Sequence, residues 1–144
     1  GVSSTDTYQS GLAAYKAGRY ADALKILEPI SKSHALAQVL VREPKILLMD
    51  EPLSALDAQT RALLLDEFAN LIAQAGTTTI YVTHNLAEAA RLGQQIVVLS
   101  RGPGRVREIV RIDRPVAGRD PDDPDLRAIE ARLWALIRAA RAVL

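Results

Sequence analysis

The sequence predicts an α/β protein with a parallel sheet and flanking helices, preceded by a small N-terminal α-hairpin. The apolar run Ile46–Met49 ends in Asp50, Glu51 and Pro52, and a short apolar run bounded by breakers is typical of a buried strand in a parallel sheet. A second run, 78–83, is rich in β-branched residues and carries a tyrosine. A helical pattern separates the two runs, and this strand–helix–strand order predicts right-handed parallel connections.

The N-terminal segment has the pattern of two short helices over residues 7–32. The turn at 17–20 places Gly18 where a glycine ends a helix. The small and aromatic residues of this segment resemble one tetratricopeptide/Sel-like repeat; they are Gly11, Tyr15, Gly18, Tyr20, Ala23 and Leu27. One repeat cannot bury its apolar face alone, so a plain helical hairpin fits the pattern equally well.

Helix signals follow the first strand. Asp57 is a suitable N-cap for a helix over 58–75, which Gly76 would end, and Asn85 precedes a helix over 86–92. The buried stripe of the longer helix is predicted to comprise Leu64, Phe68, Leu71 and Ile72.

The C-terminal part completes the predicted elements. A third strand is expected at 95–99, and the partial alternation over 106–112 predicts an edge hairpin. Asp123 and Pro124 are typical of the start of a helix, which would run toward the C-terminus. We expect Trp134 to pack beside the apolar stripe of this helix.

Composition limits the classes of function. The net charge of +1 among 144 residues gives no electrostatic reason to expect nucleic-acid binding. The absence of cysteine excludes disulfides and thiolate chemistry. No apolar run approaches the length of a transmembrane helix and no signal peptide is evident, so we expect a cytoplasmic protein without direct membrane insertion.

The adjacent acids after the first strand suggest phosphate chemistry. Ligands of open α/β sheets bind at the carboxyl ends of the strands, where Asp50 and Glu51 stand. Asp50 would hold Mg²⁺, which prefers oxygen ligands, and Glu51 would polarise an attacking water as general base. The alternative is a strand that merely ends in solvated acids.

The order of motifs resembles the C-terminal half of ABC transporter ATPases. It comprises the strand with Asp-Glu-Pro, then Ser54-Ala-Leu-Asp57, a helix, and a strand ending in Thr83-His84. The segment 100–106 looks most like the nitrate/sulfonate/taurine importer branch. The resemblance covers 35–144 and implies the C-terminal part of a P-loop NTPase-like parallel sheet, with residues 1–34 as a separate hairpin.

The resemblance also implies roles for particular residues. Asp50 matches the Walker B aspartate that holds Mg²⁺, Glu51 the catalytic base, and His84 the switch histidine. Ser54 and Asp57 match the D-loop, which communicates across an ATP-bound dimer, and Asp57 can still serve as an N-cap. The implied cofactor is Mg-ATP, and the implied partners are a transporter membrane subunit and a second ATPase subunit.

Several family motifs do not occur in the sequence. There is no G-x-x-x-x-G-K-S/T motif, none of the four lysines follows a glycine, and neither a Leu-Ser-Gly-Gly signature nor a Q-loop can be assigned. We therefore expect a truncated or chimeric ATP-binding subunit that is inactive alone, with an exposed sheet that favours self-association. Two alternatives stay open: an ATPase completed by a partner chain that supplies the P-loop, and a non-enzymatic interaction module built on the hairpin.

Overall fold

The computed structural model describes residues 4–19 and 32–142. Helix α1 spans Ser4–Lys16, and a helix over 32–41 is α2. Strands and helices then alternate: β1 Ile46–Asp50, α3 Ala58–Ala75, β2 Thr78–Val82, α4 Leu86–Leu92 and β3 Gln95–Leu99. Strand β4, Val106–Arg111, and helix α5, Pro124–Ala142, complete the order. The predicted α/β class is confirmed.

The chain divides into two compact units. The first unit contains residues 1–47 and 55–79, and the second contains 48–54 and 80–144. The predicted division at residues 34 and 35 stays a prediction.

In the first unit, the end of α1 has the predicted geometry. Gly18 adopts the left-handed conformation with φ 79°, and the amide of Arg19 donates to the carbonyl of Ala14 at 3.0 Å. This is the hydrogen bond that closes a helix at a C′ glycine. The second helix of the predicted hairpin falls on residues 20–31, outside the described residues, so the repeat-like hairpin stays a prediction.

Helix α3 begins and ends where the sequence indicates. Asp57 caps its first turn, and Gly76 ends it with φ 63° while donating its amide to the carbonyl of Ile72 at 3.1 Å. The buried stripe lies nearer the N-terminus than predicted and comprises Leu64, Leu65, Phe68 and Ala69, whereas Leu71 and Ile72 are only half-buried. The last three residues of α3 are exposed, so its C-terminal part contributes little to the core.

The strands form two separate pairs. Strand β1 pairs with β2, and β3 pairs with β4 in an antiparallel ladder in which Val97 faces Ile109. The predicted parallel order of the strands does not extend to β3, whose ladder partner within the described residues is the antiparallel β4, and the hairpin predicted over 106–112 is thereby confirmed. The short connection at 100–105 makes this local pairing cheap in loop-closure entropy.

Strand β1 is buried on one face only. Leu47 and Met49 are buried, whereas Ile46 and Leu48 are exposed. The prediction of a strand buried on both faces is therefore wrong, since no described element covers the Leu48 side chain. The run has the continuous apolar composition that is typical of a strand buried on both faces, but only one of its faces is buried.

In the second unit, one face of the β3–β4 pair packs against helix α5 and forms an apolar core. Val98 and Val110 pack with Leu133 of α5, and half-buried apolar side chains surround them. The opposite face of the pair leaves Val97 and Ile109 half-exposed. Helix α5 starts as predicted, because Oδ1 of Asp123 accepts the amide of Asp125 at 2.9 Å.

Trp134 does not take the predicted packing role. Its side chain is half-exposed, and the guanidinium of Arg138 lies 5.7 Å from the centre of its ring. Residues one turn apart on a helix meet on its surface, so this cation–π contact forms on the outer side of α5.

Arg119 holds the loop after β4 against the end of α4. Its guanidinium is 4% exposed and donates to five backbone carbonyls: Ala90, Arg91, Gly93, Arg114 and Pro115. Burial, followed by the nearby guanidiniums of Arg91 and Arg114, lowers the pKa of Arg119 from its ordinary value. The carbonyls of α4 that point out of its C-terminus are therefore satisfied by one side chain.

None of the helices in the described ranges is long and apolar enough to cross a membrane.

Replacing Arg119 with methionine is expected to lower the free energy of unfolding by about 3 kcal/mol, because several buried carbonyls lose their donor. Arg119→Lys should recover only part of this loss, since an ammonium cannot reach all five acceptors. Urea denaturation measures both variants. Arg105→Met, at an exposed position, is the control and should stay within about 0.5 kcal/mol of the unchanged protein. An Arg119→Met loss as small as the control would contradict this role.

The exposed Val97 and Ile109 face is expected to cause weak self-association, visible as an apparent mass that rises with concentration in light scattering coupled to size exclusion. Val97→Thr combined with Ile109→Thr should weaken association about tenfold or more, because each change removes about 1 kcal/mol of apolar burial. Arg107→Thr, also exposed on β4, serves as the control. A monomer at every concentration before any substitution would refute the expectation.

Candidate functional site

Glu51 joins the end of β1 to the end of β2. Its amide donates to the carbonyl of Val82 at 2.8 Å, and its backbone adopts a left-handed conformation with φ 44°. Such a conformation is costly for a residue with a Cβ and persists only where the surroundings hold it. The hydrogen bond to β2 is one such restraint, and it directs the chain away from β1 into the turn that follows.

The side chains of Glu51 and His84 meet beside this backbone bond. Nδ1 of His84 lies 2.7 Å from Oε1 of Glu51, and the two side chains are 78% and 43% exposed. A carboxylate only accepts hydrogen bonds, so this contact is a hydrogen bond in the tautomer that carries its proton on Nδ1. Polar contacts between side chains as exposed as these contribute little stability. A ligand that reaches the two strand ends can therefore replace the contact with contacts of its own.

The turn that carries His84 is closed by the hydroxyl of Thr83. Oγ1 of Thr83 accepts the amide of Asn85 at 2.9 Å and donates to Oε2 of Glu88 at 2.9 Å. The hydroxyl of Tyr81 donates to the same Glu88 oxygen at 2.9 Å. Glu88 is 2% exposed. Its amide donates at 3.0 Å to Oδ1 of Asn85, the residue that caps the N-terminus of α4.

Glu88 is not among the site residues predicted from the sequence. One signal was present, because an N-cap residue followed three positions later by glutamate is the spacing of a capping box. In the structure Glu88 bonds to two hydroxyls, and Thr83 takes the amide of Asn85 that a capping-box glutamate would take. The spacing therefore identifies Glu88 as a residue of interest, but it does not predict which groups Glu88 binds.

Asp50 and Ser54 lie close to Glu51 along the chain. Asp50 is exposed at the carboxyl end of β1, and the amide of Ser54 donates to the carbonyl of Glu51 at 3.4 Å. No group of three histidine, aspartate or glutamate side chains within residues 4–19 and 32–142 could hold a metal ion. Asp50 alone fits the way Mg²⁺ is often bound, with one carboxylate, waters and substrate phosphates as ligands.

Asp57 belongs to the first unit, where it caps α3. Its Oδ2 accepts the amide of Thr60 at 3.4 Å, which confirms the predicted capping role. The hydrogen bond to the Thr60 side chain, followed by bonds to backbone amides, holds the pKa of the Asp57 carboxyl below its ordinary value.

Comparison with known proteins identifies homologues of the C-terminal half of the chain as ABC transporter ATP-binding proteins. An uncharacterized ABC transporter ATP-binding protein of Methanocaldococcus jannaschii is 47% identical over 79 residues, which are 55% of this chain and 30% of that protein. The aliphatic sulfonates import ATP-binding protein of Bacillus subtilis is 38% identical over 104 residues, 72% of this chain and 40% of the relative. An aliphatic sulfonates import ATP-binding protein of Nocardia farcinica is 44% identical over 88 residues, which are 61% of this chain and 36% of that protein.

The chain thus spans roughly a third of the length of the curated relatives it matches, with a range of 30% to 40% among these three. No family model matches it. The resemblance to ABC transporter ATP-binding proteins is confirmed for the C-terminal half, whereas the tetratricopeptide-like segment is not.

The lowered pKa of Asp57 gives a prediction for acid stability. Because the folded-state pKa lies below the unfolded value of about 3.9, the stabilisation is present above that value and is lost as pH falls through the folded pKa. Asp57→Asn keeps a good N-cap but cannot titrate, so its loss of stability toward low pH should be shallower. Thermal melts between neutral and acidic pH measure the slope. Asp113→Asn, at an exposed site, is the control, and equal slopes for Asp57→Asn and the unchanged protein would refute the prediction.

Proposed function

We propose that the second unit carries part of the hydrolytic site of an ABC importer ATP-binding subunit. The observation that carries the proposal is the 2.7 Å contact between Nδ1 of His84 and Oε1 of Glu51 at the adjoining ends of β1 and β2. A carboxylate beside an imidazole suits the handling of an attacking water, with Glu51 as general base and His84 as a contact to the terminal phosphate. Both side chains are exposed enough for a substrate to reach them.

Asp50 would complete the chemistry by holding Mg²⁺. Its carboxylate is exposed at the same strand end, one residue before the proposed base. A magnesium ion there would neutralise charge on the phosphates. The chain's own contribution would be to fix one carboxylate for the metal and a second for water.

The 144 residues contain no phosphate-binding loop, and we infer that they do not hydrolyse ATP by themselves. Phosphoryl transfer depends on positioning and on stabilising charge, which a glycine-rich loop and its lysine supply through backbone N–H groups and an ammonium. The proposed site has a base and a metal ligand, but its substrate would have to be held by residues outside this sequence.

The proposed partners follow from the same assignment. Ser54 and Asp57 would act as the D-loop toward a second ATPase subunit, and a membrane subunit would receive the conformational change. The relatives from B. subtilis and N. farcinica are named as import proteins for aliphatic sulfonates. We therefore propose that the chain belongs to the ATP-binding subunit of a sulfonate importer, on the cytoplasmic face of the membrane.

An alternative is an ATPase that becomes active when another chain supplies the P-loop. The exposed apolar faces of the strand pairs favour this reading, because Leu48, Ile80 and Val97 lie on surfaces that further structure could cover.

Calorimetric titration with Mg-ATP tests the proposal. The purified chain should give no binding heat up to millimolar nucleotide, and Glu51→Gln, which removes the base and one negative charge, should behave alike. Binding at micromolar strength, about −8 kcal/mol, would refute inactivity in isolation. The alternative is tested by adding a P-loop half from an ABC ATPase. Hydrolysis that appears with the unchanged chain and with Asp113→Asn, but falls at least about a hundredfold with Glu51→Gln, would favour completion by a partner.

A further inference from the structure

We propose that Glu88 is a positioning residue that holds the His84 ring against Glu51 by fixing the hydroxyl of Thr83. The inference rests on the proposed function for its meaning, since it assigns how the contact between base and histidine is kept in place. The carboxyl group of Glu88 accepts hydrogen bonds from Tyr81 and Thr83, which flank the contact in sequence or structure but do not belong to it.

The first observation is the path of hydrogen bonds around His84. The amide of Asn85 donates to Oγ1 of Thr83, and that hydroxyl donates to Oε2 of Glu88, each at 2.9 Å. The residues on both sides of His84 are thereby joined to one carboxyl group. A hydroxyl has a single proton, so donation to Glu88 directs the oxygen lone pairs of Thr83 toward the Asn85 amide.

The second observation is the contrast in burial. Glu88 is 2% exposed and sits in the first turn of α4, where its amide is bonded to the Asn85 cap. The His84 side chain is 78% exposed, so packing contributes little to its orientation. The direction of its Cα–Cβ bond is then set by the backbone of 83–85, which the buried carboxyl restrains.

The third observation separates positioning from general stabilisation. Tyr81 and Thr83 donate to the same oxygen of Glu88, and both bonds are 2.9 Å long. Tyr81 lies within β2, whereas Thr83 lies in the turn that carries His84. If Glu88 only stabilises the fold, removal of the Tyr81 hydroxyl and removal of the Thr83 hydroxyl should disturb the His84 ring to a similar extent. If it positions His84, loss of the Thr83 hydroxyl should disturb the ring selectively.

The ring itself provides a readout. A neutral imidazole carries its proton on either nitrogen, and the contact with a carboxylate favours the form protonated at Nδ1. Nitrogen-15 chemical shifts of the ring measure the fraction of that form. The sequence has two histidines, and His34 is exposed on α2, so a His34→Gln background leaves His84 as the single signal.

The experiment compares this fraction among variants in one alkaline buffer without nucleotide. Glu51→Gln defines the value without the carboxylate. Thr83→Val and Glu88→Met should each reduce the Nδ1–H fraction at least twofold, toward the Glu51→Gln value. Tyr81→Phe should keep the unchanged value, and Thr83→Ser, which restores a hydroxyl, should return to it.

Folded variants are identified by their amide spectra, and Thr83→Val and Tyr81→Phe keep the shape of the side chains they replace. An unchanged Nδ1–H fraction in folded Thr83→Val would overturn the proposal, and so would an equal reduction in Tyr81→Phe. Because no nucleotide is present, the outcome is independent of the Mg-ATP titration. Failure of that titration to fit the proposed function leaves this measurement valid, and the reverse also holds.

Discussion

The hydrogen bond from the Glu51 amide to the Val82 carbonyl is the constraint on which the site depends. It joins the ends of β1 and β2 at 2.8 Å and accompanies a left-handed backbone at Glu51. A left-handed residue with a side chain costs about 1–2 kcal/mol. The bond offsets part of this cost, and the resulting turn presents the Glu51 carboxylate to His84. Without that bend, the backbone at Glu51 would continue in the direction of β1.

Helix α4 illustrates how a short element is kept in place by charge. Seven residues are too few for a helix that is stable by itself. A buried glutamate lies in its first turn, and a buried arginine binds the carbonyls at its last turn. These signs match the helix dipole, positive at the N-terminus and negative at the C-terminus. Glu88 and Arg119 therefore form hydrogen bonds at opposite ends of the same helix.

Local features of the fold were predictable from the sequence, whereas features that depend on distant partners were not. Asp57, Gly76 and Asn85 mark helix ends through their own side chains or backbone freedom, so the bounds of α3 and α4 follow from nearby residues. The exposure of Leu48 and the buried role of Glu88 depend on which elements cover them, whereas the hairpin of β3 and β4 follows from residues close in sequence. The contact of Glu51 with His84 lies between these cases. Each residue ends a predicted strand, but only strand pairing brings the two ends together.

If Asp50 and Glu51 act as proposed, the carboxyl groups at the strand ends explain why a phosphate-binding loop would matter for activity. Under the proposed function, the carboxyl groups of Asp50 and Glu51 would face the phosphates of a nucleotide, and like charges in proximity repel. The proposed base and metal ligand would therefore disfavour ATP binding until positive charge is supplied. The imidazole of His84 contacts Glu51 at 2.7 Å and is the described side chain beside this carboxyl group. A metal ion, a lysine and oriented backbone amides would have to provide the positive charge. The proposed site would thus act on a phosphate that other residues already hold.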